Sequence, residues 1–117
     1  MDSILDSIKK LSGVTEWDNV FDSDLIMYIN SCFLTLYQLG VESAGSFFIS
    51  DSSSKWTDLM SESVLLNAIK SWVYLKVRIQ FDPPSGTTLD SFKEMADEYE
   101  WRIKEFIEDE KRNSNGI

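Results

Sequence analysis

Few residues of this 117-residue chain have a type and spacing that could do chemistry, and each of them has a plainer use. Asp22-Ser23-Asp24 sets two carboxylates close enough to hold a divalent cation. Acids at a helix start are also stabilised by the helix dipole, which is the plainer account of both. Cys32 is a nucleophile only as a thiolate. The chain has no histidine to take its proton, so Cys32 reads as a small buried apolar residue. The acids between Asp90 and Glu110 suggest paired catalytic carboxylates, but their regular spacing describes a solvated helix face. There is no glycine-rich phosphate loop, no H-E-x-x-H and no G-x-S-x-G. The expectation is a protein with no catalytic residue, no metal site and no cofactor, and not an enzyme.

Composition narrows the class further. The chain is 43% hydrophobic and 13% aromatic, enough for one domain that buries roughly two-thirds of its unfolded surface. Eleven basic residues against twenty acidic ones leave a net charge of -9, which opposes binding to phosphates and to anionic membranes. A single cysteine rules out an internal disulfide framework and accords with a reducing compartment. No apolar run approaches the ~20 residues needed to span a bilayer, and Asp2 and Asp6 stand where a signal peptide would be basic. A soluble, unexported protein is expected.

The elements follow from periodicity. Ile4, Leu5, Ile8 and Leu11 recur at helical spacing behind Ser3 as cap, with Gly13 as stop. Val14 to Phe21 is a connector. Asp22 or Ser23 then caps a longer helix with the stripe Leu25, Ile29, Cys32, Leu36 and Leu39, ended by Gly40. Val41 to Ser54 reads as a loop with a short extended segment near 45–50. Lys55 to Met60 forms one helical turn around Trp56, with Ser54 as cap. A helix starting near Ser61 or Ser63 has apolar residues over more than half its circumference, from Val64 through Leu66, Ile69, Trp72 and Val73 to Val77 and Ile79. It is the expected central helix, stopped at Asp82 by Pro83 and Pro84. Only Asn67, Lys70, Ser71, Tyr74 and Arg78 are left to face water or a partner.

Beyond the Ser85-Gly86 turn, Thr87 and Asp90 form a capping-box-like start for the last helix. Leu89, Phe92, Ala96, Tyr99, Ile103 and Phe106 alternate steps of three and four, the pattern of a helix laid along another. Three pairs, Glu98 with Arg102, Glu100 with Lys104 and Glu108 with Arg112, support it at i,i+4 by roughly 0.2 to 0.5 kcal/mol each. The sequence thus predicts an all-α bundle of about four to five helices, a single domain over 1–110 and a flexible tail over 111–117. Its core is expected to hold Leu25, Ile29, Leu36, Ile69, Trp72, Leu89, Phe92, Tyr99 and Ile103. Trp101 falls opposite the apolar stripe among acids, either as a contact residue or as the cover of a loop in its own subunit. With Phe47, Phe48, Tyr74 and Arg78 it makes up the candidate interface.

Several segments, in order and spacing, resemble the phage head-tail connector proteins of the head-completion or adaptor type. They are S-I-L-D-S-I-K-K-L-S-G-V (Ser3 to Val14), F-D-S-D-L-I-M-Y-I-N-S (Phe21 to Ser31), Q-L-G-V (Gln38 to Val41), the Trp56 segment, Y-L-K-V-R-I-Q-F-D-P-P (Tyr74 to Pro84) and E-Y-E-W-R-I (Glu98 to Ile103). The resemblance implies a small helical virion subunit at the head-tail interface, assembled in the host cytoplasm into a ring, typically twelvefold, beneath the portal. Its implied partners are the portal protein, a tail or stopper protein, and copies of itself, such subunits being able to remain monomeric until a portal templates the ring. DNA is implied only as passing cargo, and no membrane is involved. The alternative is a small acidic protein-binding module, such as a DNA-mimicking inhibitor. Against it, nine acidic and three basic residues of Thr88 to Glu110 fall largely into i,i+4 pairs, whereas a mimic needs unpaired carboxylates.

Overall fold

A helix whose apolar residues occupy most of its circumference needs neighbours on several sides, and the chain supplies them. The computed structural model describes residues 3–115. It consists of α1 (Ile4–Leu11), α2 (Asp22–Leu39), a 3₁₀ turn (Glu42–Ala44), the single turn α3 (Trp56–Leu59), α4 (Val64–Gln80) and α5 (Gly86–Asn115). The expected all-α class holds: α4 packs most extensively on α5 and next on α2, while α1 packs on α2. Leu66, Ile69, Trp72, Val73 and Val77 of α4 are fully buried. They join Leu25, Ile29 and Leu36 of α2, Ile4, Leu5 and Ile8 of α1, and Ile103 of α5 in one core.

Local signals set most boundaries. The Ser3 hydroxyl accepts the Asp6 amide at 3.2 Å and that of Ser63 accepts the Leu66 amide at 3.1 Å, two caps of about 1 kcal/mol each. Gly40 closes α2 at φ 115, and the Val41 amide donates to the Leu36 carbonyl at 2.9 Å. An added Cβ at Gly40 would lie 3.2 Å from Ile107 Cγ2, so the position needs glycine for its backbone angle and for the approach of α5. Asp82, ahead of the two prolines, adopts φ 48, and its carbonyl accepts two hydrogen bonds from the Arg78 guanidinium at 3.1 and 3.3 Å.

Other boundaries differ from expectation. Asp22 lies inside the first turn of α2, with Phe21 at the cap position, because the Asp22 carboxylate is drawn to Lys9 at 2.8 Å. Lys55 rather than Ser54 precedes α3. The Asp58 carboxylate accepts the Lys55 amide at 2.8 Å, while the Ser54 carbonyl accepts the Ile4 amide at 3.0 Å and ties the loop to α1. Among the described residues the loop around 45–50 forms no strand. Its place is fixed by Asn30, whose side-chain amide donates to the Ile49 carbonyl at 3.0 Å and accepts the Ile49 amide at 2.8 Å. Thr87 is helical, since α5 already begins at Gly86.

The largest departures are on α5. Its buried residues are Ala96, Ile103 and Ile107, whereas Leu89, Phe92 and Tyr99, expected in the core, are half-buried. Tyr99 still packs against the core, but Phe92 lies against the outer strip of α4, with the Tyr74 ring at 6.3 Å and the Arg78 guanidinium at 5.8 Å. Val64, counted in the apolar arc of α4, is 68% exposed. The helix then runs through Asn115, so the tail expected from 111 is helical to that point, and residues 116–117 lie outside the described residues. Glu98 pairs with Arg102 at 2.7 Å and Glu100 with Lys104 at 3.9 Å, as the spacing predicts. Arg112 turns instead to Asp109, leaving Glu108 out of the expected pair.

Trp72 is completely buried where α4 meets its neighbours, so truncating it opens a large cavity. Trp72→Ala should cost roughly 3 to 5 kcal/mol, read as a large drop in melting temperature. An unchanged melt would be incompatible with this packing.

Candidate functional site

With the apolar face of α5 turned to α4, Trp101 stands off that face in solvent, 61% exposed. Beside it a groove of about 470 Å³ runs between α4 and α5. Val64, Ala68 and Ser71 line it from α4; Tyr99, Trp101, Glu105 and Phe106 line it from α5. Antiparallel packing continues this cleft toward a second depression of about 310 Å³ around Ser71, Tyr74, Phe92, Met95 and Tyr99. Met95 and Leu11, at the edges of the second depression, are 44% and 56% exposed.

The five candidate interface residues do not form one surface. Phe47 turns inward and meets Phe33 edge to face at 5.2 Å, whereas Phe48 beside it is 68% exposed. Tyr74 and Arg78 are half-buried and engaged with each other at 3.3 Å, with Phe92, and with the Asp82 carbonyl. Their arrangement closes the end of α4. Of these five, Trp101 is the one that combines wide exposure with the groove between α4 and α5.

A second exposed surface went unnoticed in the sequence. Trp17 and Val20, in the connector between α1 and α2, are 84% and 78% exposed, with Phe21 at 38%. The loop that presents them is anchored. Lys9, only 1% exposed, donates to the Glu16 carbonyl at 3.2 Å and lies 2.8 Å from Asp22 Oδ1. That contact is ionic, the carboxylate oxygen having no well-aimed hydrogen bond. Phe21 packs edge to face on Phe81 at 5.2 Å, which puts this surface at the C-terminal end of α4, whereas the Trp101 groove borders its N-terminal half. The available signal was a tryptophan in a stretch without helical register, T-E-W-D-N-V, where no face exists to bury it.

Two of the groups singled out for chemistry are engaged otherwise. Burial pushes the Cys32 thiol up to about 12 against the weaker opposing pull of Lys76, so at neutral pH it is a protonated, inert core residue. Asp22 is committed to Lys9. Among the described residues no three His, Cys, Asp or Glu side chains gather as a metal site would require, and no helix is long and apolar enough to cross a membrane.

Compared with known protein families, the chain matches the one described as phage connector protein over residues 4–110, from the start of α1 through most of α5. No curated protein and no solved structure gave a match.

The Lys9 anchor makes a prediction. Asp22→Ala leaves a buried ammonium with a carbonyl as its sole remaining partner and should cost about 3 kcal/mol, measured by urea denaturation. The double variant Lys9→Met, Asp22→Leu should recover most of the loss. A double variant as unstable as the single one would show that the loop is held by something other than this pair.

Proposed function

The chain belongs to the phage connector protein family, and from that membership we propose that it is a structural subunit of a ring beneath the portal of a tailed phage or prophage. In this reading the ring extends the DNA channel and presents a docking surface to the tail or a stopper protein. The subunit is a virion component at the head-tail interface, gathered there from the host cytoplasm. The family match over residues 4–110 carries the proposal.

Two physical features support it. A ring subunit seated on a portal needs one surface for the portal and others for its neighbours, and so more than one kind of docking surface. The Trp101 groove and the Trp17 loop are unlike each other and border different ends of α4. A net charge of -9 also suits a wall past which DNA slides, because it offers phosphates no gain from counterion release. Twelve copies, the number typical of such rings, fit the reading.

One observation favours the second reading, an acidic protein-binding module of the DNA-mimic kind. Asp90, Glu94, Asp97, Glu105 and Glu108 share the Trp101 side of α5 and take part in no ion pair among the described residues. A mimic would compete with DNA for a DNA-binding protein and would leave portals bare.

Mixing the chain with purified rings of its cognate portal separates the two. Electron microscopy should show an added ring on the portal. In a gel shift at about 50 mM salt, where phosphate contacts are strongest, duplex DNA should remain unretarded. Trp101→Ala should leave the melting point of the free chain nearly unchanged and reduce assembly about tenfold or more, as loss of an aromatic anchor does. Portals that stay bare with the parent chain, or tight salt-sensitive DNA binding, would reject the connector reading.

A further inference from the structure

The groove between α4 and α5 has an apolar floor and one acidic bank, and the charges along that bank are not all spent internally. Arg102, a cation on its lining, is held by Glu98 at 2.7 Å and lies over the Tyr99 ring at 5.9 Å. Glu105, which also lines the groove, is in no ion pair among the described residues, and neither is Asp97. These two carboxylates stand four residues after and four residues before Trp101, one helical turn to either side on the same face. An exposed indole is thus flanked by two acids that are in no ion pair among the described residues. Across from it, Ala68 and Ser71 are small enough to leave room for an incoming side chain.

This combination selects its occupant. Nucleic acid and anionic lipid would bring phosphate against the acids. A second copy would bring another net charge of -9. A lysine or arginine, by contrast, can lay its aliphatic stem and cationic head over the indole face, within about 6 Å of the ring, with a carboxylate on each side. An adjacent apolar residue can then enter beside Ala68. We infer that the groove captures a short basic segment with an apolar anchor, donated by the protein onto which the chain is assembled. The identity of that protein rests on the connector reading; the chemistry of the segment does not.

Three synthetic peptides of about a dozen residues serve as probes, one of leucine and lysine, one of serine and lysine with the same charge, and one of leucine and glutamate. Each is titrated into the full-length, isotope-labelled chain and followed by amide and indole chemical shifts. The leucine-lysine peptide should shift residues 64–71, residues 97–109 and the Trp101 indole, and should saturate. Trp101→Ala should weaken it about tenfold and Glu105→Gln about threefold, the latter an exposed, nearly isosteric change that leaves the fold intact. Equal binding by the serine-lysine peptide would reduce the effect to surface charge and overturn the inference, as would binding of the leucine-glutamate peptide or shifts spread over the whole surface. Dilution shifts at the same residues without peptide would assign the groove to a second copy and overturn it too. Portal assembly measured in parallel keeps the two claims apart. Assembly without peptide binding defeats this inference alone, and peptide binding without assembly upholds it while defeating the connector reading.

Discussion

Leu66, Ile69, Trp72, Val73 and Val77 point from α4 in more directions than one neighbour can cover, and the rest of the fold answers that constraint. α5 lies along one side and α2 along another, while α1 packs on α2. Full burial of a residue such as Ile69 or Val73 contributes roughly 1.5 to 3 kcal/mol. Trp72 contributes more area, but its indole N–H has no partner, and an unsatisfied buried donor costs about 1 to 3 kcal/mol. What α4 leaves uncovered is the strip from Asn67 through Ser71 to Arg78. Its two ends differ: Arg78 is spent on closing the helix, whereas Ala68 and Ser71 border an open groove.

How much of this was legible depends on which force decided each element. Helix starts at Ser3 and Ser63 and the stop at Gly40 are set by one side chain or one backbone angle, so they can be read locally. The central helix was legible from the breadth of its apolar arc. Asp22 was misplaced because a distant partner, the Lys9 ammonium, competes with the local capping role, and Ser54 because the Asp58 carboxylate closes the turn one residue later, on the Lys55 amide. Leu89 and Phe92 have flawless helical spacing but stay half-buried, Phe92 against the outer strip of α4, and periodicity alone does not report how many layers cover a face. The charge-rich run after Asp109 lacks an apolar stripe, yet helical bonding propagates through it from a well-packed helix at little cost per residue.

Of the candidate surface, Trp101 was legible because it interrupts an acidic face, where its exposure follows from register alone. Phe47 and Phe48 were indistinguishable in sequence; Asn30, by clasping Ile49, decides which ring turns inward. The Trp17 loop was missed because its presentation depends on a buried lysine that composition gives no reason to suspect. The division of labour is consistent with a connector: a core built around α4 that carries unlike apolar surfaces toward opposite ends of that helix and carboxylates along α5.

The central claim is that the outer side of the α4 and α5 pair is where this rigid subunit docks. Hydrogen-deuterium exchange of the chain, free and bound to its portal ring, tests it directly. The account predicts new protection across 97–109 of α5 and at the N-terminal half of α4, with the core amides around Trp72 already slow in the free chain. Protection confined to the Trp17 loop, or none on α5, would contradict it.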